Sequence, residues 1–103
     1  MSNKIYISGK ISDLPIEEYT AHFADAARHV EDHGLIAINP VNIHGDEPKT
    51  WEGYMLTDIE ALFACDGILM LPNWKDSKGA RIEHAIALEM GKKVFYHSLT
   101  HDL

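Results

Sequence analysis

Four short apolar runs, separated by stretches of helical period, constrain this 103-residue chain more than any other feature. Lys4-Ile-Tyr-Ile-Ser8 is β-branched and aromatic and stops at Gly9, which reads as a buried strand followed by a turn. Leu35-Ile-Ala-Ile-Asn39 is a second strand, closed by Pro40, and Lys93-Val-Phe-Tyr96 is a fourth. The third, Gly67-Ile-Leu-Met-Leu71, is apolar throughout, as a parallel strand covered on both faces must be. Between the first two strands Ile16, Tyr19, Phe23, Ala26, Ala27 and Val30 recur at three- and four-residue spacing. Ser12 or Asp13 can cap that helix, with Pro15 near its first position and Glu17 and Glu18 in its first turn, and Gly34 stops it. An irregular polar stretch from Val41 to Lys49, with Gly45 and Pro48, precedes a helix starting at Thr50. Its inner face is Trp51, Met55, Ile59, Leu62 and Phe63. A polar turn from Pro72 to Gly79 leads to a third helix, Ala80 to Met90, stopped by Gly91.

The order β-α-β-α-β-α-β predicts an α/β fold with three layers. The sheet is expected to be open and parallel, Rossmann- or flavodoxin-like, with four to five strands. No repeat, low-complexity segment or linker interrupts it, so residues 1–103 read as one domain, as the length requires.

Charge and composition narrow the partners. Nine Lys and Arg against sixteen Asp and Glu leave −7, with the basic residues scattered, which argues against binding a nucleic acid polymer. The longest apolar run, residues 67–72, falls far short of the roughly 20 residues of a membrane span. The N-terminus carries no signal-peptide h-region, and a lone Cys65 cannot form an internal disulfide. The expectation is a small acidic cytoplasmic domain, without membrane contact, whose partner is a small molecule or another protein.

Such a sheet binds ligands outside the carboxyl ends of its strands. Ser8 to Ser12, Asn39 to Gly45 and Leu71 to Gly79 should line that crevice. Gly9 sits at a strand-to-helix turn that could hold an anion on backbone amides or be only a tight turn. With one glycine, it is neither a dinucleotide fingerprint nor a P-loop. Asp58 lies beside the Met55/Ile59 stripe and shares a face with Tyr54, an unusual place for a carboxylate unless it is functional or paired. Asp66 reads as a turn residue. Glu83, near the start of a small apolar helix, is either a nucleophile or electrostatic stabiliser, or an acid serving the helix dipole. Seven histidines include His22, His29 and His33 on the first helix, but no Cys set or His-Glu-x-x-His pattern accompanies them, so neither a metal nor a cofactor is expected. Cys65 reads as a small buried thiol.

Tyr6-x-x-Gly9, Tyr54-x-x-x-Asp58, Cys65-Asp66 before an apolar strand, and Ser77-x-Gly79-x-x-x-Glu83 opening a helix follow one another at fitting spacing. Together they resemble the nucleoside 2-deoxyribosyltransferase superfamily over nearly the whole chain. The spacing is similar to that of its deoxynucleoside 5′-monophosphate N-glycosidase branch, and to the small DUF4406 proteins. The resemblance implies that Glu83 attacks the anomeric carbon and Asp58 serves the departing base. Tyr6 would orient the glutamate or sugar, Gly9 would form the phosphate- or sugar-side loop, and Ser77 and Gly79 would hold a 5′-phosphate. A retaining route of this kind needs one charged carboxylate and one proton donor roughly 5 Å apart. Helix-start placement is expected to keep Glu83 anionic while burial raises Asp58.

Two departures are visible. Lys10 and Ser12 stand where the glycosidase branch has a serine and an arginine, and Lys10 can meet a phosphate as a point charge. Trp74 has no counterpart in the pattern; it either stacks on the base or forms a lid over the core. The resemblance also implies a homodimer or higher homo-oligomer, with residues near a neighbouring C-terminus completing the site. The expected function is cleavage or transfer of the N-glycosidic bond of a 2′-deoxynucleoside or its 5′-monophosphate. The alternatives are a non-catalytic nucleotide-binding module and a purely structural or interaction role.

Overall fold

The computed structural model describes residues 3–45 and 49–97. Strand β1 (Lys4–Ser8) leads to α1 (Ile16–Asp32), β2 (Ile36–Ile38) and the one-turn α2 (Pro40–Ile43). Helix α3 (Trp51–Phe63), β3 (Gly67–Met70), a 3-10 turn at Trp74–Asp76, α4 (Lys78–Glu89) and β4 (Lys93–Tyr96) follow. The strands form one parallel sheet in the order β2-β1-β3-β4.

Alternation along the strands divides the core into two layers. Ile5, Ile7, Leu69 and Leu71 face Phe23, Ala26 and Val30 of α1. Tyr6, Ile68 and Met70 face the other way, onto Leu62 of α3 and Ala80 and Ala87 of α4. The fold is therefore α/β with helices on both faces of an open parallel sheet, and the described residues supply four strands. Sheet growth reverses between β1 and β3, which places the ligand crevice at their carboxyl ends.

Several local expectations change. Neither Ser12 nor Asp13 caps α1. Asp13 takes a left-handed φ of 68°, and α1 begins after Pro15, whose carbonyl accepts from Glu18 and Tyr19. The polar stretch after β2 is partly ordered: Asn39 Oδ1 accepts from the Val41 amide, so Pro40 starts α2 rather than merely ending a strand. Pro48 lies outside the described residues. Helix α4 starts at Lys78, two residues early, because Ser77 Oγ accepts from the Ala80 amide. On α3 the buried stripe is Met55, Asp58 and Leu62, whereas Trp51 and Phe63 are 39% and 53% exposed.

Gly9 is fixed by the packing at the switch point. A Cβ there would stand 2.4 Å from Leu71 Cδ1 and 2.8 Å from Leu71 Cβ, so only glycine lets the exit of β1 pass the exit of β3. The Leu71 amide donates to the Ser8 carbonyl at 2.8 Å, which extends the pairing to that point. Among the described residues, no helix is long and apolar enough to cross a membrane.

Candidate active site

The crevice is a cavity of about 590 Å³ between the exits of β1 and β2, the start of α3 and the start of α4. Tyr6 and Ser8, two apart on β1, project to the same side of the sheet. Glu83, in the second turn of α4, is brought over them by the helix that Ser77 caps. Its carboxylate is buried, with Tyr6 Oη donating to Oε2 at 3.0 Å and Ser8 Oγ donating to Oε1 at 2.7 Å.

Asp58 enters the same cavity from α3, within the Met55/Leu62 stripe rather than beside it. His44 Nε2 lies 2.8 Å from its Oδ1. Burial pushes the Asp58 carboxyl up to about 7, partly opposed by the Tyr6 hydroxyl and by Lys49. Glu83 is likewise pushed up to about 7, first by burial and also by the charge of Asp58, while the Ser8 and Tyr6 hydroxyls pull it down. The expected separation by helix-start placement does not arise, because Glu83 stands a turn and a half inside α4 and is desolvated there. The two acids are raised alike, each with hydroxyl groups pulling it back down: Ser8 and Tyr6 for Glu83, Tyr6 for Asp58. Burial between the two acids raises the Tyr6 phenol well above its ordinary value, so it stays protonated and donates. Burial, then Lys49, lowers His44, so its imidazole is neutral near pH 7.

Lys10, Ser77, Lys78 and Gly79 also line the cavity, together with Arg81. The Lys10 amide donates to Asn73 Oδ1 at 3.2 Å, tying the loop after β1 to the loop after β3. Gly79 packs α4 on α3, since a Cβ there would stand 3.0 Å from Met55 Sδ. The Lys78 ammonium sits 4.7 Å from the centre of the Trp51 ring, and both residues line the cavity.

Trp74 does not join these residues. Its ring stacks on His84 at 4.2 Å and packs against the core on the α3/α4 face, outside the cavity lining. Trp51 and Tyr54 are the aromatics that α3 brings to the cavity. Asp66 accepts from the Lys4 amide at 3.3 Å, at the end of the sheet opposite the crevice. Cys65 is buried and its thiol donates to the Ala61 carbonyl. His29 and His33 stand with their rings 4.8 Å apart at the exposed end of α1, His33 lying just past the helix rather than on it. No group of metal-ligating side chains occurs among the described residues.

No sequence motif marks Ser8 or His44 individually. Ser8 carries the period-two signal of β1, and His44 falls in the 39–45 segment expected at the crevice.

The match to known proteins follows this geometry. No curated protein sequence matches the chain. Among solved structures it is similar to a 2-desoxiribosyltransferase from Leishmania mexicana, with a TM-score of 0.70 and 18% identity. That match covers 93% of this chain and 64% of the other, so this chain spans less than two thirds of that protein's length. A family model described as "Domain of unknown function (DUF4406)" matches residues 3–96. By that match across both strand exits and both acids of the crevice, the chain belongs to the DUF4406 family.

Proposed function

We propose that this crevice breaks or exchanges the N-glycosidic bond of a 2′-deoxynucleoside or its 5′-monophosphate, through a covalent bond to Glu83. The observation that carries the reading is the buried Glu83 carboxylate held by Tyr6 and Ser8 in one cavity with Asp58. A desolvated carboxylate fixed by two hydroxyl donors is a poised nucleophile, and a second acid that retains a proton near neutrality is a proton donor. The likeness to a 2-desoxiribosyltransferase supports the same reading.

In the first step Glu83 attacks C1′ and the C1′–N bond breaks. Its electron pair leaves with the base, which takes a proton from Asp58. In the second step water, or a second base, attacks C1′, the ester to Glu83 breaks, and the incoming group's proton passes to Asp58. Lys10 and Lys78, with the Ser77–Gly79 start of α4, are the groups this reading assigns to a 5′-phosphate, in a lining that also holds Asp13 and Asp76. Residues 1–103 act as one domain in this reading, and a second copy of the chain completes the site.

Incubation of the purified protein with a panel of 2′-deoxynucleosides and 5′-monophosphates, followed by chromatography of free base, tests it. Base release that Glu83→Gln abolishes is the expected result. Release without exchange of added base marks a hydrolase, and exchange marks a transferase. Ligand-induced thermal stabilisation without turnover, unchanged in Glu83→Gln, would establish the binding-module alternative instead.

A further inference from the structure

Asp58 has a partner that comes from the other side of the crevice. His44 stands just past α2, whose start is set by Asn39 and Pro40 at the exit of β2. Its Nε2 lies 2.8 Å from Asp58 Oδ1, and the two side chains are only 16% and 9% exposed. Tyr54, one turn before Asp58 on α3, packs its ring 4.8 Å from the imidazole. The Lys49 ammonium donates to the His44 carbonyl, which holds the backbone that carries the ring. The imidazole is thus fixed by two elements and a loop, with Asp58, Tyr54 and Lys49 the polar groups around it.

We propose that His44 is a positioning residue for the acid of the proposed reaction: its Nε2–H holds Asp58 Oδ1, so that the acid proton stands on Oδ2. The inference rests on the glycosidic reading above. A neutral imidazole has a single N–H. With that hydrogen on Nε2, Oδ1 is an acceptor and a protonated Asp58 carries its hydrogen on the other oxygen. When the base departs, the Oδ2 proton moves to a base nitrogen, and the new carboxylate keeps its bond from Nε2–H. When water attacks C1′, its proton returns to Oδ2. His44 gains and loses no proton through the cycle and acts only by way of Asp58.

A leaving-group comparison separates this role from a structural one. 2′-Deoxyguanosine 5′-monophosphate needs a proton on its departing base, whereas its N7-methylated form already carries the compensating charge. His44→Phe should lose about 10–100-fold in base release from the unmethylated substrate and stay within about threefold of wild type on the methylated one. His44→Gln, whose amide can still donate to Oδ1, should recover part of the loss. An equal loss on both substrates would overturn the positioning role. Failure of the wild-type protein to release a base from these substrates or from any member of the 2′-deoxynucleoside and 5′-monophosphate panel would instead overturn the glycosidic reading. The imidazole tautomer, read from 15N shifts of the resting protein, does not depend on turnover: Nε2–H is expected, and Nδ1–H overturns the assignment.

Discussion

Ser8 Oγ and Glu83 Oε1 meet at 2.7 Å although 75 residues separate them in the chain. The contact joins the last residue of β1 to the second turn of α4. It makes the nucleophile's charge depend on a strand residue. Because the Ser8 hydroxyl favours the ionised carboxylate, its removal must raise the Glu83 pKa above about 7. Ser8→Ala should therefore move the acid limb of the pH–rate profile upward. Base release at pH 6 should fall by about tenfold, the equivalent of one charge-assisted hydrogen bond. An unshifted limb would show that Ser8 does not set the ionisation of Glu83.

Asp58 links the site to stability. Its folded pKa of about 7 lies above the ordinary 3.8, so the folded state holds a proton that the unfolded state releases. That stabilisation is fully present below about pH 4 and is lost as pH rises through about 7. Asp58→Asn has no charge to bury. At pH 8 it should be more stable than wild type by about 1–3 kcal/mol after allowance for solvent screening, or several degrees in Tm. Thermal melts of both proteins at pH 8 and pH 4.5 check this, and the gap should shrink at the lower pH.

Gly9 offers a prediction independent of catalysis. Its Cβ position is occupied by Leu71 at 2.4 Å, so Gly9→Ala forces apart the exits of β1 and β3. Chemical denaturation should show a loss of about 1–3 kcal/mol. Gly9→Ala combined with Leu71→Ala should recover part of that loss, because the blocking side chain is gone.

The chain holds two tryptophans, and only Trp51 lines the cavity. Addition of a deoxynucleoside 5′-monophosphate should quench intrinsic fluorescence in wild type and in Trp74→Phe. The same addition to Trp51→Phe should leave the signal nearly unchanged. Quenching that follows Trp74 would place the ligand elsewhere.

The strands were legible because their residues are apolar on both faces: β1 and β4 run over the residues expected, Lys4–Ser8 and Lys93–Tyr96. Glu83 and Asp58 stood out because each is an acid among apolar neighbours on a helix. The rest depended on contacts between distant segments. Pro40 reads as a stop, yet it starts α2 once Asn39 caps it. Trp51 and Phe63 fit an apolar stripe, but α3 turns Asp58 inward and leaves both partly in solvent. His44 carries no local pattern, and its partner lies 14 residues away on another element. Trp74 sits in a crevice loop by sequence, but its ring finds His84, ten positions on, and turns onto the helix face.

The central claim is that Glu83 forms the covalent bond to the sugar. Acid quenching during turnover of a 2′-deoxynucleoside 5′-monophosphate, followed by peptide mass spectrometry, measures this most directly. The account predicts a deoxyribosyl 5′-phosphate adduct on the peptide carrying Glu83, absent in Glu83→Gln. Undiminished base release by Glu83→Gln, or an adduct on another residue, would contradict it.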